Sequence, residues 1–168
     1  MIMKKTLFIA VISILVTSCG ILFATTTPEE EKALAESVSK SVSDMDFRID
    51  VDTVLPMAGP AIQTFGEYFL EIRDGKVTSY LPFRGTSTIA SFGGPSGIEF
   101  EDYPIKPKVS GQRKKDTPTR IRFDAESGSD TWEVTIEIWD NGSASIDCNN
   151  AYKSSMRYQG NLRTSIEE

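Results

Sequence analysis

The spacing of apolar residues takes three forms along this chain. Between residues 7 and 16 they run together, broken only by Ser13. Later, Leu34, Val38, Val42 and Met45 fall at intervals of four, four and three, with Ser, Lys and Glu between them. That is the stripe of a one-sided helix. From Phe47 the interval becomes two: Phe47, Ile49 and Val51 alternate with Arg48, Asp50 and Asp52, as in a half-buried strand. A helix is therefore predicted over residues 28–45. Its start reads Thr27-Pro28-Glu29-Glu30, a capping box with proline at the first helical position. Glu29, Glu30 and Glu31 also suit the positive end of the helix dipole. The stripe can pack on the chain's own sheet or on a partner, and its own sheet is the expectation.

Pro56 and Gly59-Pro60 break the first strand. A hairpin over residues 66–81 turns at Asp74-Gly75, a favoured pair for a tight two-residue turn. Counting outward sets Ile72 opposite Val77, Tyr68 opposite Leu81, and Phe69 opposite Tyr80. In a second hairpin, Trp132, Val134, Ile136 and Ile138 alternate with Thr131, Glu133, Thr135 and Glu137. Its turn is Asp140-Asn141-Gly142. A two-residue loop would set Ile136 against Asp147 and mix the faces. A three-residue loop with Gly142 left-handed pairs Ile136 with Ile146 and Val134 with Cys148, and puts Cys148 on the core side. Register follows the buried face, so the three-residue loop is expected. Further strands are expected at residues 98–103, 120–124 and 154–162. About eight short strands after one helix predict a mainly β fold: an antiparallel sandwich or a partly open barrel with one N-terminal helix. Residues 46–168 make the β-rich domain, in one globular unit with the helix.

The opening run has the order of a signal peptide. Lys4 and Lys5 precede residues 7–16, and Val16-Thr17-Ser18 precede Cys19. This looks like a bacterial lipoprotein signal. The resemblance implies removal of residues 1–18, acylation of Cys19, and a tether over residues 19–27. Two other readings are an uncleaved membrane helix over residues 7–24 and an ordinary secreted signal. The expected location is the cell envelope, lipid-anchored. The resemblance implies that surface export favours acids very close to the cysteine; the first acids after Cys19 are Glu29 to Glu31, so the periplasmic face of the outer membrane is expected. Loss of residues 1–18 removes Lys4 and Lys5 and takes the net charge from −6 to −8. An acidic exported chain is a poor nucleic-acid partner. The chain has no histidine, which excludes Ser-His-Asp, Cys-His and His-zinc chemistry. No cofactor and no metal are expected. With Cys19 acylated, Cys148 has no disulfide partner.

Several local patterns come together: Pro56-Met57 after the first strand, Tyr80-Leu81-Pro82-Phe83-Arg84-Gly85 ending the first hairpin, and Gly93-Gly94 before Gly97 and Phe100. Asn141-Gly142-Ser143-Ala144-Ser145 closes the second hairpin, and Ser154-Ser155, Tyr158 and Gly160 mark the last strand. With the lipoprotein signal, the chain resembles the Bacteroidetes family catalogued as domain of unknown function 4251, over most of residues 47–162. The resemblance implies an exported, envelope-attached protein. It carries no established activity, cofactor or catalytic residues.

Residues 82–97 are the first candidate site, through Phe83, Arg84, Gly85, Phe92, Gly93 and Gly94. Glycine lets backbone approach a ligand closely; the competing reading is a long connection whose aromatics plug the sheet end. Tyr68, Phe69, Tyr80, Phe83, Phe92, Phe100 and Tyr103 can line a pocket for a sugar, lipid or peptide, or form core. Residues 106–122 are locally basic, suited to anionic lipid or polysaccharide or simply to a solvated loop. Asp50 with Asp52, and Asp124 with Glu126, are carboxylate pairs on solvent faces of strands, and a glycosidase would need such a pair across a cleft. The expected function is a non-enzymatic envelope domain that binds a ligand or partner: an envelope protein, a glycan or a small molecule. The alternatives are a carboxylate-dependent glycan hydrolase and a structural subunit docking through the helix stripe. Cys19→Ser is expected to abolish incorporation of labelled fatty acid and to leave the β domain folded by circular dichroism. Label that persists in this variant would place the anchor elsewhere.

Overall fold

The computed structural model describes residues 27–87, 97–111 and 117–163. The helix α1 (Pro28–Asp44) begins as its capping box requires. The Glu30 N–H donates to Thr27 Oγ1 at 3.3 Å, and the Thr27 N–H donates to Glu30 Oε2 at 2.8 Å. Met45, left-handed at φ 53°, closes it. Val38 and Val42 are buried and Met45 packs on the same core. Leu34 is 39% exposed. The stripe thus packs on the chain's own sheet through its last three positions only.

The described residues form one nine-stranded sheet. Its strands are β1 (Phe47–Pro56), β2 (Ile62–Arg73), β3 (Lys76–Pro82), β4 (Gly97–Pro104), β5 (Lys108–Ser110), β6 (Thr119–Ser127), β7 (Asp130–Ile138), β8 (Ser143–Asn149) and β9 (Met156–Arg163). The order is β4-β3-β2-β1-β9-β8-β7-β6-β5, and every neighbouring pair is antiparallel. Two meanders, β1–β4 and β5–β9, are joined where the first strand pairs with the last. Of the two architectures left open by the chain's pattern, the curled one is found: the sheet bends into a half-barrel. The two ends of the sheet approach each other where β4 meets β6, and there the Glu99 N–H donates to Ser127 Oγ at 3.1 Å.

Both hairpins turn as expected. Asp74 (φ 52°) and Gly75 (φ 72°) form the left-handed two-residue turn, with Ile72 opposite Val77 and Phe69 opposite Tyr80. The β7–β8 loop has three residues, with Gly142 at φ 80°. It pairs Ile136 with Ile146 and Val134 with Cys148. Two elements differ from expectation. Residues 108–110, read as loop, form the edge strand β5 against Arg120–Arg122. The second strand starts at Ile62 rather than Gly66, because a bulge interrupts it. Between the pairs Val51–Tyr68 and Thr53–Gln63, β1 supplies only Asp52, while β2 supplies Thr64, Phe65, Gly66 and Glu67. Gly66 takes φ 72°, a region glycine enters without steric cost. Thr64 Oγ1 donates to the Val51 carbonyl at 2.7 Å and pins the bulge. Phe65 is left 91% exposed.

The concave side is apolar. Phe47, Ile49, Leu70, Ile72, Val77, Trp132, Ile136, Ile146, Cys148 and Tyr158 are all buried there. Burial, and then the charge of nearby Asp147, push the Cys148 thiol well above its ordinary range. The joint between the meanders is tight: a Cβ built on Gly160 would lie 2.0 Å from the Asp50 carbonyl oxygen. Overpacking of this kind costs about 1–3 kcal/mol. Gly160→Ala is therefore expected to lower the urea midpoint by that order, and an unchanged midpoint would show that the seam can open locally. The Cys148 thiol is expected to stay silent to a thiol reagent at pH 8 in the folded protein. It should react fully once the protein is denatured.

Candidate functional site

Where β3 ends, the chain crosses the mouth of the half-barrel as a strap. Pro82 is its first fixed point: its carbonyl accepts the Tyr158 hydroxyl at 2.9 Å. Burial, with a smaller contribution from Cys148, pushes the Tyr158 phenol above its usual range, so the hydroxyl remains a donor. Phe83 meets Trp132 edge-on, ring centroids 5.9 Å apart. The Lys153 amine lies 5.7 Å from the Phe83 ring centre and pairs with Asp130 at 2.6 Å. A Cβ on Gly85 would stand 2.6 Å from Ser154 Cβ and 2.7 Å from the Phe83 ring. Thr86 and Ser154 then exchange hydrogen bonds, Thr86 N–H to Ser154 Oγ at 3.0 Å and Ser154 N–H to the Thr86 carbonyl at 2.9 Å. Ser87 bridges to Lys153.

This arrangement separates the expected site residues. Phe83 and Gly85 hold the strap down, which is the plugging role. Arg84, between them, faces outward into a cleft. Phe92, Gly93, Gly94 and Cys19 lie outside the described residues.

The cleft consists of two adjoining cavities. One, of about 210 Å³, is lined by Val54, Ile62, Gln63, Thr64, Phe65, Glu67, Tyr68, Pro82 and Arg84. The other, of about 150 Å³, is lined by Tyr68, Tyr80, Leu81, Pro82, Phe83, Arg84 and Gly97. Tyr68, Pro82 and Arg84 belong to both. The Tyr68 and Tyr80 rings stack with centroids 5.4 Å apart. The β2 bulge supplies Phe65 and Glu67 to one wall, and the strap supplies Arg84 to the other. Ile62, Phe65 and Glu67 had no place among the candidates read from the sequence. The signal available for them was the charge-free stretch 53–66, bracketed by Asp52 and Glu67.

Arg84 is set apart by what it lacks. Arg48 pairs with Asp50 at 2.8 Å, Arg73 with Asp46 at 3.4 Å, Arg122 with Glu133 at 3.8 Å and Arg157 with Asp147 at 2.6 Å. Arg120 pairs with Glu137 and Arg163 with Asp50. Among the described residues, Arg84 is the one arginine without a carboxylate partner.

The other candidates fall elsewhere. Asp50 is held by Arg48 and Arg163 on the outer face. Asp52 accepts from Asn161 Nδ2 at 3.1 Å and from Thr53 Oγ1 at 2.7 Å. Asp124 and Glu126 are exposed along β6. None of these four lines the Arg84 cleft. Phe100 is core, and Tyr103 packs against it partly buried. Of the basic segment, Arg120 and Arg122 are committed to ion pairs, and residues 112–116 lie outside the described residues. Among the described residues, no cluster of three or more acidic, cysteine or histidine side chains could hold a metal ion. No helix of the described residues is long and apolar enough to cross a membrane.

The fold has a solved counterpart. A DUF4251 family protein from Bacteroides eggerthii DSM 20697, known from a crystal structure at 1.95 Å resolution, superposes with a TM-score of 0.55 at 14% identity. The match covers 77% of this chain and 87% of that one. No curated protein matches the chain. The family model described as domain of unknown function DUF4251 matches residues 29–162, from the first turn of α1 to the end of β9, and this chain belongs to that family.

Proposed function

We propose that this protein is a non-enzymatic binding domain of the bacterial envelope, held to the membrane through acylated Cys19, and that its cleft takes an amphipathic ligand bearing an acid group. The observation that carries this reading is Arg84, an arginine with no carboxylate partner among the described residues, in a cleft walled by Ile62, Phe65, Tyr68 and Tyr80. A planar guanidinium offers two parallel donors that match a carboxylate or phosphate. The apolar walls suit the body of the same molecule. Glu67 stands on the bulge side of the cleft, so an acid group is repelled there and the ligand is oriented toward the strap. Both cavities fall below the roughly 300 Å³ of an ordinary ligand pocket. The ligand is covered only in part, and its affinity is correspondingly modest. Membrane attachment is supported by Lys4, Lys5, the apolar run and Cys19, and the periplasmic face of the outer membrane by the distance from Cys19 to its first acids.

The probe is dansyl-undecanoic acid, titrated into the full-length protein beside its methyl ester and followed by fluorescence. The free acid is expected to bind more tightly. Arg84→Ala should erase that preference and weaken acid binding roughly tenfold, the value of one charge-assisted contact at a partly wet site. Arg84→Lys should retain part of it. Phe65→Ala should weaken acid and ester alike, while Asp124→Asn leaves both unchanged. Equal binding of acid and ester to the wild-type protein would overturn the reading.

A further inference from the structure

We propose that the end of the β1–β2 hairpin is a lipid-contacting tip that dips into the surface of a phospholipid bilayer. The tip shares Phe65 and Ile62 with the Arg84 cleft but requires no ligand there. Met57 is 75% exposed, Phe65 91% and Ile62 40%. All three belong to one hairpin end, where Val54 pairs with Ile62 and the chain turns back between them. An exposed apolar cluster rimmed by polar groups marks an interaction surface, and here the rim begins at Asp52 and Glu67.

Four features fit a bilayer better than a protein groove. Residues 53–66 carry no charge in a chain of net charge −6. The tip is therefore a part of an acidic molecule that carries no carboxylate of its own, the nearest being Glu67 beside Phe65 and Asp147 near Met57. Pro56 and Pro60 have no N–H to donate, and Ala58, Gly59 and Ala61 add no polar side chain. Fewer groups then lose their water when the tip enters the headgroup layer, where an unsatisfied backbone donor is costly. A hairpin end whose apolar side chains are exposed suits a surface that deforms around it. The β2 bulge turns Phe65 outward beside the tip instead of leaving it in register within the sheet. Three side chains give marginal binding alone; a stable association takes two signals. In the uncleaved chain the apolar run at residues 7–16 supplies the other, and in the lipid-anchored form the acyl chains proposed on Cys19 supply it.

The test uses the full-length protein mixed with phosphatidylcholine vesicles containing brominated lipid, measured on the fraction that floats with the vesicles. Phe65→Trp and Met57→Trp are compared with Lys76→Trp, at the turn on the opposite end of the sheet, with the native tryptophans subtracted from the unmodified protein. Quenching at positions 65 and 57 is expected to exceed that at position 76 by about twofold or more, as for a side chain at the headgroup–acyl boundary. Quenching equal to that of Lys76→Trp would overturn the proposal, as would absence of protein from the floated fraction. A blue shift of the position-65 tryptophan that grows with protein concentration without lipid would instead make the tip a contact between copies, and would also overturn it.

Discussion

The pairing of β1 with β9 is the constraint on which the remaining geometry depends. It runs from Arg48 opposite Arg163 to Pro56 opposite Met156, and it joins two meanders that otherwise share few hydrogen bonds. Because β9 starts beside the β1–β2 tip, the β8–β9 connection is carried to the barrel mouth. There Ser154 and Lys153 can grip the strap, and Tyr158 can reach the Pro82 carbonyl. The cleft exists because these contacts hold the strap opposite the bulge. Gly160 is the narrowest place in the seam, so one absent Cβ decides whether the two halves meet at the right spacing.

The outer face works differently from the inner one. Inside, burial sets register. Outside, Arg163 of β9, Arg48 and Asp50 of β1, Glu71 and Arg73 of β2, and Asp46 just before β1 are linked by ion pairs. Arg48 also lies over the Phe69 ring, 3.8 Å from its centre. Exposed pairs of this kind contribute little stability one by one. Their effect is to commit the arginines in place. Against that background an uncommitted Arg84 carries information that an isolated surface arginine would not.

Much of the fold was legible in the chain because it is written locally. Alternation marks β7 and β8, and the requirement that Ile136 and Ile146 share a face selects the three-residue loop. The capping box marked the start of α1. The features that escaped are set by distant partners. The β2 bulge depends on β1 pairing with β9 and β2 at once, which nothing in residues 62–68 announces. β5 is three residues beside lysines and a proline, too short for a period to emerge. At the site, Arg84 was legible as part of a glycine-rich connection. That Phe83 and Gly85 face the other way follows from Trp132 and Ser154, far along the chain. Phe65 carries no such mark, because a phenylalanine between strands reads as core until its neighbours are placed.

A half-barrel has two free edges, and free edges invite other chains to add on. Both are blunted here. β5 is short, its one apolar residue Val109 lies between Lys108 and Ser110, and Lys106-Pro107 precede it. β4 carries Glu99, Glu101 and Asp102, with Asp102 forced to φ 44° where the ladder to β3 shifts register, and it ends at Pro104. Such an edge offers a broken row of donors and the same sign of charge to any identical neighbour. The molecule can therefore leave its barrel unclosed without polymerising through the gap.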